Sequence, residues 1–152
     1  MASSSNHDIT VLNGLIETTL DSAHGYDEAA RDARDPRFKT LFGRRAIERK
    51  QVTADLQNEV RRLGVAPERD GTILGRAHRV FLNLKTAVGG SDQGVVTEVE
   101  VGEDHIKAKY EMALADADLS APARDLVQHA YRSVKAGHDE MSDLKHALER
   151  AS

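Results

Sequence analysis

Four side chains able to ligate a metal, Glu17, Glu48, Glu103 and His138, stand near the middles of four long stretches that read as helices. Carboxylates and imidazoles projecting inward from facing helices hold one or two transition-metal ions in many bundles, where the ions can activate oxygen or a peroxide. A complete di-metal site takes a glutamate from each of two helices and a Glu-x-x-His pair from each of the other two. Neither pair is intact in this chain: Gln51 stands three residues after Glu48, and Lys135 stands three residues before His138. What remains for a metal is a mononuclear or degenerate set made of Glu17, Glu48, Glu103 and His138.

Arg45 and Arg49 stand at the same depth and offer a different chemistry. A guanidinium aimed into the layer repels a cation and satisfies a carboxylate. In that reading Arg45 or Arg49 neutralises Glu17 and Glu103 in a buried ion-pair network, with Tyr110 or Tyr131 donating a hydroxyl hydrogen bond. Glu103 is pivotal in both readings. Val96, Val99, Glu103, Ile106, Tyr110, Ala113 and Ala117 repeat at three and four residues, so the acid interrupts an apolar stripe. Because buried charges are normally paired with one another, the ion-pair network is the expectation adopted.

Periodicity and punctuation set the elements that must position these groups. Residues 1–7 are small and polar and read as a flexible N-terminus, with Asn6 or Asp8 available to cap the first helix turn. A first helix over 8–34 carries Ile9, Leu12, Ile16, Leu20, Ala23, Asp27 and Ala30 on one face. Asp35-Pro36 stops it and starts a second over 36–63, with Phe38, Leu41, Phe42, Arg45, Val52, Leu56, Val60 and Leu63 inward and Gly64 as the stop. So short a joint predicts an antiparallel pair. A connecting helix over 72–88 has its own apolar face of Ile73, Ala77, Val80, Phe81, Leu84 and Val88 and reaches roughly 25 Å. Ser91 or Asp92 then caps a helix to about residue 117, and Ser120 with Pro122 opens a last one to about 150. The last inner face reads Val127, Ala130, Val134, His138, Met141, Leu144 and Leu148. The fold class expected is all-α, a ferritin-like four-helix bundle with a helical crossover between the second and third long helices, in one domain over residues 8–150.

Composition narrows the function classes. Aromatic residues make up only 4% of the chain and charged residues 30%, the profile of a slim-cored helical bundle. A net charge of −4 gives no pull toward nucleic acid or an anionic membrane. The absence of cysteine excludes disulfides, thiolate metal sites and cysteine nucleophiles, and fits a cytoplasmic protein. No window approaches the roughly 18 apolar residues of a membrane span, and the N-terminus lacks a basic start with an apolar run. The run Arg44, Arg45, Arg49, Lys50, Arg61 and Arg62 alternates with Asp55 and Glu59 and reads as a solvated face. His7, His24, His78, His105, His129 and His146 have no metal-ligand spacing.

As a set, LNGLIETTLDSAHGYDEAA, LFGRRAIERKQVTADLQNEVRRLG, GRAHRVFLNLKTAV, EVEVGEDHIKAKYEMAL and VKAGHDEMSDL give a chain that resembles the bacterial four-helix-bundle proteins of unknown function grouped with the ferritin-like superfamily. The resemblance covers nearly the whole chain. It implies a ferritin-like fold, a bacterial origin and a stress-associated role, and it brings no established activity. The expectation is therefore a non-enzymatic cytoplasmic bundle protein, homodimeric and without a cofactor, whose polar layer is structural. The alternative is a ferritin-like metal-binding protein with oxidase or peroxide-handling activity, its cofactor iron or another transition metal.

Overall fold

The computed structural model describes residues 2–68 and 91–151, and within them the chain forms four long helices and no strand. These are α1 (Ala2–Asp32), α2 (Pro36–Arg62), α3 (Asp92–Leu114) and α4 (Ala121–Ala151). Their boundaries follow the punctuation. Asp35 adopts an extended conformation and its carboxylate accepts from the Arg37 N–H, with Pro36 opening α2. Ser91 accepts from the Gly94 N–H at the start of α3. Beyond the end of α2, Gly64 takes φ +91°, a left-handed conformation that a β-carbon disfavours.

One boundary differs from expectation. α1 is already helical at Ala2, and Asp8, expected to cap that helix, lies inside it. Its carboxylate instead accepts from the backbone N–H and the hydroxyl of Ser120, across 112 residues, and so secures the start of α4. A buried acid finds more donors at another helix's free N-terminus than within its own satisfied ladder.

Helix neighbours are α1 with α2, α3 with α4, α1 with α3, and α2 with α4. At one end of the bundle His7 meets Asp116 just past α3; at the other, the Asp92 carboxylate accepts from the N–H groups of Arg34 and Asp35. α1 is thus antiparallel to α3 as well as to α2, and α2 and α3 run the same way. The connection between Leu63 and Ser91 must therefore join opposite ends of the bundle, which excludes a simple up-down-up-down order. The crossover helix expected over 72–88 lies outside the described residues.

Buried apolar side chains form two clusters. One holds Leu12, Ile16, Leu56, Val60, Ile106, Tyr110, Val127 and Val134; the other holds Tyr26, Phe42, Ala46, Val95, Val96, Val99 and Met141. Between them sits a polar layer. The stripe on α3 is buried from Val96 to Ala113 as its periodicity predicts, whereas Ala117 lies past the helix end and is exposed. On α1 the inward position falls to Tyr26 rather than Asp27, which pairs with Lys50 at the rim. Among the described residues no helix is long and apolar enough to cross a membrane.

Candidate functional site

The layer is built around Arg49 of α2 and Glu103 of α3, which are 0% and 1% exposed. The two helices face each other diagonally across the core. Arg49 Nη1 donates to Glu103 Oε1 and Nη2 to Oε2, both at 2.7 Å, the bidentate geometry that matches a planar guanidinium to a carboxylate. Nη1 also donates to Ser22 Oγ of α1 at 2.6 Å, and Nη2 lies 3.4 Å from the Val134 carbonyl of α4. All four helices therefore touch one guanidinium. The Tyr26 ring lies under it, 5.4 Å from centroid to the guanidinium carbon, a cation–π contact between two buried groups.

Electrostatics follow this geometry. Burial works against the charged form of Arg49, but the Glu103 carboxylate outweighs it and holds the guanidinium above its ordinary pKa. Tyr26 is pushed well above the ordinary phenol value, first by burial and then by the Glu103 charge. Tyr110 is pushed up to about 12 by burial, and its hydroxyl shares a 2.8 Å hydrogen bond with Thr19 rather than joining the ion pair. Tyr131 donates to Glu111 at the surface. The aromatic partner of the layer is thus Tyr26, not Tyr110 or Tyr131. Its position one turn after Ser22 and three residues after Ala23 was the available signal.

Gly137 of α4 is the second residue that the apolar pattern did not reveal. A β-carbon there would lie 2.5 Å from Arg49 Nη2 and 3.2 Å from Glu103 Oε2, so only glycine lets the α4 backbone close over the pair. Alanine in place of glycine stabilises an ordinary helix by about 1 kcal/mol. Here the guanidinium is fixed by both carboxylate oxygens and has no room to yield. Gly137→Ala is expected to destabilise the protein by about 1–3 kcal/mol, measured as a lower urea midpoint at unchanged slope.

The other predicted site residues lie around the rim. Arg45 is half-buried and bridges Glu48 at 2.6 Å and Glu140 at 2.7 Å. His138, expected inward, yields that position to Gly137 and turns to the α3 side, where Nε2 lies 2.7 Å from Asp104 and Nδ1 lies 3.2 Å from Asp139. Glu17 is half-exposed on α1, one turn before Asp21. The structure therefore places Glu103 with Arg49, Glu48 with Arg45, and His138 with two aspartates. Among the described residues, no group of three or more histidine, aspartate or glutamate side chains is arranged to hold a metal ion.

Burial alone would lower the His138 pKa, but its hydrogen bonds to Asp104 and Asp139 outweigh this and raise it. A histidine held protonated by the fold contributes stability that is complete below the unfolded value near 6.5 and is lost as pH rises through the folded value. A proton NMR titration is expected to place His138 above that ordinary value, and Asp104→Asn to bring it down.

A family model described as "Domain of unknown function (DUF2383)" matches residues 7–116, which span α1 to α3 and include Ser22, Tyr26, Arg49 and Glu103. α4, which brings Gly137 and the Val134 carbonyl to the layer, lies beyond the matched residues. No curated protein matches the chain. On the extent of the family match, the chain belongs to the DUF2383 family, a domain of unknown function.

Proposed function

We propose that this chain is a non-enzymatic helical-bundle protein whose central layer is structural: a closed ion pair that fixes the register of four helices and leaves the exterior for partner contacts. The supporting observation is the bidentate Arg49–Glu103 pair, which engages both oxygens of the deeply buried glutamate that a bundle metal would need. A transition metal at Glu103 would have to displace a guanidinium held from three other helices. The helix order, with parallel α2 and α3 joined across the length of the bundle, favours a ferritin-like scaffold. A stress-associated role in the bacterial cytoplasm, as a homodimer, completes this reading and rests on the family resemblance of the sequence.

The test is elemental analysis of protein purified without chelator, alongside Glu103→Gln. The reading predicts no stoichiometric iron, manganese, copper or zinc that depends on Glu103. A transition metal at one or two ions per chain that is lost in Glu103→Gln would overturn it and favour a metal-dependent oxidase or peroxide-handling protein.

A further inference from the structure

Large apolar side chains are exposed at few places among the described residues, and two of them share one face of one helix. Val101 and Met112 of α3 are 45% and 67% exposed. Eleven residues apart, they lie three helical turns from one another and so align along the axis. His105 and Ala108, both exposed, fall between them. The four recur at intervals of four, three and four residues, the spacing of a coiled-coil seam. This stripe is on the far side of α3 from Glu103, Ile106 and Tyr110, which fill the core. Ile47 of α2 and Val65 beyond it, the other exposed apolar residues of this size, belong to no such stripe.

The two edges of the stripe carry opposite charge. Asp104 and Glu111 border it on the α4 side, where Asp104 meets His138 Nε2 and Glu111 accepts from the Tyr131 hydroxyl. A carboxylate has about four acceptor sites, so each retains capacity for a further donor. Exposed Lys109 stands on the other edge, about 140° round the helix from Asp104. These edges discriminate between the ways in which two copies can pair about a twofold axis. In an antiparallel pair each edge meets its own counterpart, acid against acid; in a parallel pair the acidic edge of one copy meets the basic edge of the other. His105 is held below its ordinary pKa by burial and by Lys109, so at neutral pH the seam itself brings no like charges together. From the exposed seam and its edges of opposite sign, we propose that α3 of one molecule pairs in parallel with α3 of a second copy. Val101 then packs on Val101 and Met112 on Met112, Ala108 permits close approach, and Asp104 of each copy faces Lys109 of the other. The helix is already formed in the monomer, so pairing incurs no cost of folding it. A seam about 17 Å long makes a small, reversible interface rather than an obligate one. The pairing names the surface of the homodimer included in the function proposed above and rests on that part of the reading.

Because the chain has no cysteine, a single introduced one reports which residues meet. Full-length Val101→Cys and Met112→Cys proteins are oxidised separately and as an equimolar mixture, and the wild type is followed by sedimentation equilibrium over about 5–500 µM. The expected result is a reversible monomer–dimer equilibrium in that range, with each cysteine variant forming a disulfide to its own copy. Met112→Glu should raise the dissociation constant at least about tenfold, and Lys109→Glu and added salt should both raise it. Both substituted positions are exposed, so circular dichroism should show unchanged helix content. The proposal is overturned if the wild type stays monomeric throughout, if Met112→Glu leaves the dimer intact, or if disulfides form only in the mixture of the two cysteine variants, the mark of an antiparallel pair. None of these outcomes bears on metal content at Glu103, so failure of the pairing and failure of the structural reading of the central layer are told apart.

Discussion

Replacing Arg49 with Met is expected to destabilise the protein by about 3–5 kcal/mol, the cost of leaving one member of a buried ion pair without its partner. For a chain of 152 residues this corresponds to a fall in unfolding temperature of about 6–20 °C. The effect should be large because Glu103 is 1% exposed and takes both of its short hydrogen bonds from that guanidinium. Methionine preserves much of the volume, so a cavity is not the principal cause. The loss also extends to α1, since the Ser22 hydroxyl gives up its 2.6 Å bond to Arg49 Nη1. Arg49→Lys should recover only part of it: an ammonium cannot bond to two oxygens of one carboxylate in a fixed plane while also reaching Ser22. Calorimetry of the three proteins side by side is the check. An Arg49→Met protein within about 1 kcal/mol of wild type would contradict the geometry described.

Asp21→Asn is expected to act in the opposite direction. Burial, and then the Glu17 charge, raise the Asp21 pKa from 3.8 to about 6. A carboxyl whose native pKa lies above its unfolded value binds a proton more readily in the native state. Its contribution is therefore most favourable below about pH 4, declines as pH rises through about 6, and is constant above. At pH 7 the asparagine variant should be more stable than wild type by about 2 kcal/mol, the full value of the shift reduced for solvent screening. Below pH 4 the two should converge. Unfolding in urea across pH 3.5–7.5 measures this, and a variant less stable than wild type at neutral pH would show that Asp21 carries an interaction of its own.

Most of the architecture was legible in the sequence because helix punctuation is local chemistry. Asp35-Pro36, Ser91 and Gly64 each act through their own backbone or the first turn beside them, so their effects could be read without knowing any neighbour. The α3 stripe was equally legible, since one period carries Val96, Val99, Glu103, Ile106, Tyr110 and Ala113, all of them buried; Glu98, also buried, falls outside it. The partner of Glu103 was only narrowed to Arg45 or Arg49. Four residues apart on one helix, the two share a face to within a small rotation, and only the contacts of neighbouring helices put Arg49 inside and Arg45 at the rim. Gly137 and His138 show the same limit. A stripe counted by hydropathy skips a glycine and accepts a histidine, whereas the packing requires the position without a side chain, because the opposing arginine fills that space. Asp8 was misassigned because its acceptor role is fulfilled 112 residues away, a distance no local rule spans.

A double-mutant cycle on Arg49 and Glu103 tests the central claim most directly. Wild type, Arg49→Met, Glu103→Leu and the double variant would be unfolded in urea under one set of conditions in the presence of chelator. If the layer is held by the pair itself, each single variant loses about 3–5 kcal/mol and the double loses far less than the sum, because no charge is left stranded. If the two losses instead add to within about 0.5 kcal/mol, Arg49 and Glu103 act independently, and the layer is not the closed ion pair described.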